Sequence, residues 1–268
     1  MPQMICTLGD LLLDVVVRLD GPIAEDTDTY GRTRVGAGGQ AANVAAWVVA
    51  LGGSARFIGK RARDAAGRLV AEELAGRGVE LAGPEVELGT GTVVSVATPD
   101  GKRTMLSDRG VSVDFEPSDL DEAWLDACDW LHVPVYSLAH PPLRETALRA
   151  IGAAPQVSLD LSATVALEQA GIELVRGVIA EHGPAVVFGN EEEIALLDPE
   201  AETVVVKKGA RGVAVRACRK THEHPARQVE AVDTTGAGDA FAAGFLLGGA
   251  ELGVQAAARC VAQLGAMP

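Results

Sequence analysis

The stretch AVVFGNEEEIALLDPEAETVVVKKGARG, residues 185–212, contains an apolar run of strand length, a glutamate-rich segment that opens like a helix, and a second Val-rich run closed by a glycine turn. A buried-type strand, a helical start and another buried-type strand in succession point to strands that run parallel and are covered by helices. The alternation extends in both directions along the chain. Strand-like runs occur at MICTL, ARFIG, WLHV and QVSLDL, and helical periods occur in GQAANVAAWVVAL, DAAGRLVAEELAGRG, PPLRETALRAIG and AGDAFAAGFLLGGA. The predicted class is a three-layer α/β/α fold around a mostly parallel central sheet.

Two regions, about 15–36 and 89–110, break the rhythm with alternating strands, the second folded about a Pro-Asp-Gly turn at 99–101. Few helices lie near them in sequence, so they are expected to form a small sheet standing off the main layer, as a lid or a dimer surface. Repeats, low-complexity tracts and linkers are absent, and residues 1–268 are expected to form a single domain.

With 23 Lys and Arg against 37 Asp and Glu, the formal charge of −14 excludes a phosphate-neutralising nucleic-acid surface. The start of the chain lacks a basic signal-peptide region, and no uninterrupted apolar run reaches the ~20 residues of a membrane span, so a cytoplasmic protein with no membrane partner is expected. Cys6, Cys128, Cys218 and Cys260 form no CxxC pair and read as small buried hydrophobes. His222 and His224 read as part of a solvated hairpin. His132, His140 and His182 are isolated, and no serine lies in a GxSxG context.

The chemistry concentrates in DTTGAGDAFAAGF, residues 233–245. A helix start exposes unpaired N–H groups and a partial positive charge, and glycines let an anion approach the backbone of Gly236, Ala237 and Gly238. Asp239 reads equally well as a first-turn helix acid or as a base that takes the proton of an alcohol attacking a phosphoryl group held there. Phe241 stands where a Rossmann GxGxxG would need glycine, and no Walker loop occurs.

This stretch resembles the C-terminal signature of the ribokinase-like (PfkB) carbohydrate kinases. GAGGQAANVAAWVVALGGSARFIGKRARDAAGRLV, residues 36–70, is similar to the N-terminal signature of the same family. The resemblance implies a ribokinase-like fold and ATP-dependent phosphorylation of a hydroxyl on a sugar or sugar acid, with Mg²⁺. It implies Asp239 as general base, an anion hole at residues 236–238, and Asp233 and Thr235 beside an activating monovalent cation such as K⁺. Asn190 and Glu193 match the family's NxxE motif, one helical turn apart, with Glu193 expected to reach Mg²⁺ through water. Without the resemblance that pair is a capped helix start. Lys207, Gly209 and Gly212 are expected to border the nucleotide.

On the acceptor side, Asp14 in LGDLLLDVVV is a carboxylate within an apolar strand, which calls for a polar ligand or partner. The resemblance adds Gly38, Gly39 and Asn43 as sugar contacts. Asp10, just after Gly9, reads as an exposed strand end. Leu12 and Gln40 stand where ribokinases proper carry Asn and Lys, which argues against ribose. Arg109 is a candidate for an acidic or phosphorylated sugar, or else an ion-pair partner. Alternatives are a nucleoside kinase of the same fold and a catalytically silent ligand-binding regulator. A homodimer through the lid is expected.

Overall fold

A computed structural model describes residues 3–100 and 103–268. Its first half runs β1 (Met4–Leu8), β2 (Leu12–Leu19), β3 (Gly31–Gly38), α1 (Gln40–Ala50), β4 (Ser54–Ile58), β5 (Arg61–Ala62), α2 (Ala65–Gly76), β6 (Glu80–Ala82), β7 (Glu85–Val86), β8 (Thr90–Ala97) and β9 (Arg103–Gly110). The second half continues with β10 (Trp130–Pro134), α3 (Pro141–Ala153), β11 (Val157–Asp160), α4 (Thr164–Ala170), α5 (Ile172–His182), β12 (Val186–Asn190), α6 (Glu191–Leu197), β13 (Thr203–Lys207), β14 (Val213–Ala217), β15 (Lys220–His224) and α7 (Ala237–Val261).

Nine strands form the main sheet in the order β15-β14-β13-β12-β11-β10-β1-β4-β6. Pairing is parallel from β13 through β6, and only the β13–β14–β15 meander is antiparallel. Each face carries its own apolar layer. One packs Leu131, Leu159 and Val187 against Leu143, Leu167 and Ile179 of α3, α4 and α5. The other packs Ile5, Phe57 and Phe188 against Trp47, Leu74 and Phe241 of α1, α2 and α7. Strands this rich in Val, Ile and Leu have no wet face, so helices must cover both sides. The three-layer class expected from the sequence is the one observed.

A second, four-stranded sheet, ordered β3-β2-β8-β9, is the lid. Its base is held to the body where the Ala37 amide donates to Glu73 of α2 at 2.8 Å. Of the turn expected at 99–101, Gly101 lies outside the described residues.

Two expectations need correction. α7 is 25 residues long, continues eleven residues past Ala250, and by length and composition alone could cross a membrane. Half of its most apolar window is buried within the fold, and it consists of two helical segments joined across a kink at Gly248–Gly249, where both residues leave helical φ/ψ. Cys218 is exposed, in the β14–β15 turn at φ 50°, whereas Cys6, Cys128 and Cys260 are buried as expected.

Candidate active site

Five segments converge where the parallel strands end beneath the lid. The loop after β1 brings Asp10, β2 brings Asp14, the end of β3 brings Gly38 and Gly39, the first turn of α1 brings Asn43, and the first turn of α7 brings Asp239. The two glycines lie between the two acids. A Cβ on Gly38 would lie 2.1 Å from the Asp14 carboxyl carbon, and one on Gly39, at φ 100°, would lie 2.4 Å from the Asp10 carbonyl oxygen. No side chain fits at either position, so backbone and carboxylates share one floor.

Asp10 is buried at 3% exposure and ion-paired with Arg109, whose guanidinium stacks 3.8 Å above the Tyr136 ring. This overturns the sequence reading of Asp10 as an exposed strand end and gives Arg109 a buried partner. Oδ1 of Asp10 and Oδ1 of Asn43 are buried acceptors that receive no hydrogen bond among the described residues. Buried oxygens without donors call for a hydroxyl-bearing ligand. Burial, with the charge of Asp10 beside it, raises the Asp14 carboxyl to about 7 against the opposing pull of Arg109.

Asn43 Nδ2 donates to Asp239 Oδ2 at 2.8 Å, joining the acceptor floor to the mouth of α7. Burial pushes the Asp239 carboxyl up to about 7, opposed by the Asn43 hydrogen bond and by Lys207, and assisted by Asp160 and Asp10. Gly236 takes the left-handed conformation at φ 77°, and a Cβ there would press within 2.6 Å of Ala266. No side chain caps this helix; the Ala237 amide donates to the Thr234 carbonyl at 3.4 Å, and the helix mouth beyond it has the form of an anion cradle.

Beyond the cradle lies a cavity of about 360 Å³, bordered by Lys207, Gly209, Gly212, Gly238 and Phe241 and walled by Val254 and neighbouring small residues of α7. Lys207 Nζ donates to both oxygens of Asp160, at 2.8 and 3.0 Å, and lies 3.3 Å from where a Gly238 side chain would begin. Burial pulls this ammonium down, but Asp160, Glu193 and Asp239 together hold it above its ordinary range, so it stays charged beside the cradle. A family model for pfkB family carbohydrate kinases matches residues 2–267.

The chain belongs to the pfkB family of carbohydrate kinases.

This pfkB kinase is 32% identical over 255 residues to the ATP-dependent ribose-1-phosphate kinase of Halopiger xanaduensis, covering 90% of this chain and 83% of the relative. It is 32% identical over 274 residues to the fructokinase of Klebsiella pneumoniae, covering 93% and 85%. In fold it is similar to the crystal structure of a probable sugar kinase from Rhizobium etli, with a TM-score of 0.86 at 22% identity over 100% of this chain and 96% of that one.

The two ion sites implied by the family resemblance differ in how well this kinase fits them. Asn190 and Glu193 form a reciprocal capping box: the Glu193 amide donates to Asn190 Oδ1, and the Asn190 amide and Nδ2 donate to the Glu193 carboxylate. The helix-cap reading is therefore realised, and burial raises the Glu193 carboxyl. Each oxygen keeps a lone pair, which fits contact with Mg²⁺ through water. Among the described residues no three carboxylate, His or Cys side chains gather into a metal site. Asp233 fits a monovalent cation poorly. Its Oδ1 accepts from the Thr235 amide and hydroxyl, its Oδ2 accepts from the Gly265 amide, and Arg103 of the lid donates to the Thr235 hydroxyl with its Nη1 3.9 Å from Asp233. A guanidinium already supplies positive charge at that place.

Sequence reasoning missed Asp160 and Arg103. Asp160 carried the same signal as Asp14, a carboxylate inside an apolar strand, in QVSLDL. Arg103 carried none, because its partner Thr235 lies 132 residues away.

Proposed function

We propose that this kinase transfers the γ-phosphoryl group of ATP to a hydroxyl of a sugar-like acceptor, with Asp239 as general base and the amides of residues 236–238 as the anion hole. The contact between Asn43 and Asp239 carries the reading, because it puts the one acid at the helix mouth on the border of a hydroxyl-binding floor and a nucleotide-sized cavity. Asp14, Asp10 and Asn43 accept hydrogen bonds from acceptor hydroxyls and fix the reacting oxygen against Asp239, which removes its proton. The charge that spreads over the transferring group is met by the main-chain dipoles at the start of α7 and by the Lys207 ammonium. Mg²⁺ would neutralise phosphate charge, with Glu193 and Asn190 orienting its water shell. No step is routed through a monovalent cation, since Arg103 stands in its place.

The nucleotide base lies in the apolar cavity beside Phe241 and Val254, bordered by Gly209 and Gly212. The ATP-dependent relative from Halopiger xanaduensis supports this choice of donor. Body and lid work as one domain, and lid closure keeps water from the phosphoryl group during transfer.

The outer lid face supports the homodimer. Val15 pairs with Val35 and Val94, and Val94 pairs with Leu106, so one apolar row crosses all four strands with Val35 50% and Leu106 61% exposed. A second copy covering this row would bury it by twofold pairing.

The deciding experiment is ADP release across a panel of free sugars, sugar acids, sugar phosphates and nucleosides, with wild type and Asp239→Asn. Turnover of at least one acceptor is expected, and the variant should bind ATP normally while kcat falls by ~10²–10⁴. A variant with near-normal turnover removes Asp239 from the role of base, and ATP binding without any turnover leaves the silent-regulator reading.

A further inference from the structure

The inner face of the lid carries an arrangement that binding of neutral hydroxyls does not use. Arg18 on β2 lies directly opposite Arg32 on β3, and the same row continues through Ala97 of β8 to Arg103 on β9. Arg34 is paired with Val16 on the neighbouring row, diagonal to Arg18. Directly paired residues share a face, as do residues two apart on a strand, so these four arginines point the same way as Asp14 and Arg109. That way is toward the body: Arg34 donates to the Leu264 carbonyl, Arg103 to the Thr235 hydroxyl just before the anion cradle, and Arg109 to Asp10.

Like charges set directly across a strand pair repel. In a chain with 37 acidic residues, carboxylate partners would be easy to supply, as they are for Arg56, Arg61 and Arg77. Arg18, Arg32 and Arg34 have none among the described residues, and the one side-chain contact given to Arg34 is a carbonyl. The row holding Arg34 is two residues along β2 from the Asp14 row, a span of roughly 7 Å. The cleft is therefore bipolar, with carboxylates at its base suited to hydroxyls and unpaired guanidinium groups higher up suited to a multiply charged oxyanion.

We propose that the lid's inner face is an anion-binding surface and that the acceptor is a phosphorylated sugar, its phosphate held by Arg34 with Arg32 and Arg18 while a free hydroxyl faces Asp239. This inference rests on the kinase reading and names its substrate class. The phosphates of ATP are the other source of the same chemistry, and the experiment separates the two.

ADP release would be measured with ribose and ribose 1-phosphate, and with fructose and fructose 1-phosphate, for wild type, Arg34→Gln and Arg32→Gln/Arg34→Gln. Thermal melts of each variant would establish that it is folded. At least one phosphorylated sugar should exceed its free counterpart by ~100-fold in kcat/KM. The double variant should raise KM for that substrate by ~10-fold or more and leave KM for ATP within ~2-fold. Equal or better use of the free sugars overturns the proposal, as does a rise in KM for ATP instead of the acceptor. If no acceptor turns over, the kinase reading has failed separately, and calorimetry with ribose 1-phosphate and fructose 1-phosphate still decides: binding weakened by the double variant supports the anion surface, and no binding, or binding indifferent to the variant, overturns it.

Discussion

In the proposed role of base, Asp239 combines two properties that conflict, burial and a need to ionise. Its carboxyl, pushed up to about 7, binds a proton more tightly in the folded chain than in the unfolded one, where the ordinary value is 3.8. Between those values the folded state holds the extra proton, so this residue lowers stability as pH rises from about 4 to about 7, and Asp14 adds to the same loss. Activity has the opposite slope, because the base must be ionised, and kcat/KM should climb with pH and level off above about 7. Asp239→Asn should accordingly melt higher than wild type at pH 8, by about 1–2 kcal/mol after allowance for the Asn43 contact, and show no such gain at pH 4. Calorimetric melts at both pH values test the sign, and a variant less stable at pH 8 would mean that the carboxylate is better solvated than its surroundings imply. Asp14 stood out because it interrupts an apolar strand and Asp239 because it stands at a glycine-rich helix start, whereas Asn43 was reached only through the family resemblance. Asp10 was misjudged because its burial depends on Arg109 and on Gly39, which arrive from distant strands.

At the scale of the element, β11 and β13 flank β12, and their last residues, Asp160 and Lys207, pair across its end, Asp160 fully buried and Lys207 at 19% side-chain exposure. Removing one partner strands a charge without water. Lys207→Met should cost about 3–5 kcal/mol, whereas Asp160→Asn/Lys207→Met should cost clearly less than the sum of the single changes. Urea unfolding of the three variants measures the coupling, and simple additivity would show that the two charges do not depend on one another. The strands of this sheet were readable from their unbroken Val and Ile runs, and the lid strands from their alternation. The helix quoted to Ala250 breaks at Gly248 and Gly249, which both leave helical φ/ψ, and the second helical segment that follows, packed against α1 and the sheet, was not read.

On the scale of the whole molecule, the −14 charge hides a local reversal: acids dominate the chain while the lid turns arginines inward and valines outward. Two outcomes follow. Turnover in a buffer containing only tetramethylammonium as monovalent cation should stay within ~3-fold of turnover in potassium, because Arg103 provides charge where a cation would otherwise sit. A loss of tenfold or more, restored by potassium, would displace Arg103 from that part. The apolar outer row should hold two copies together, so Val35→Lys/Leu106→Lys should shift the mass measured by light scattering from dimer to monomer, and a wild type already monomeric would refute the pairing. Three layers and a lid could be read from strand and helix alternation, but the pairing order of the lid could not, since β2 and β8 meet across about 70 residues of intervening chain.

The lid is stitched from two separate excursions of the chain, and both join the body along the same border: β2 leaves at Leu12, β3 returns at Gly38, β8 leaves at Thr90 and β9 returns at Gly110. A plate clamped along one side in this way cannot swing on a single strap. It can only flex like a cantilever, so the free tips, where Arg18 and Arg32 stand, travel farthest while Asp14 near the clamp hardly moves. For the phosphorylated acceptor proposed above, grip on the hydroxyl end would be built in from the start, and grip on the charged end would be the part that motion supplies.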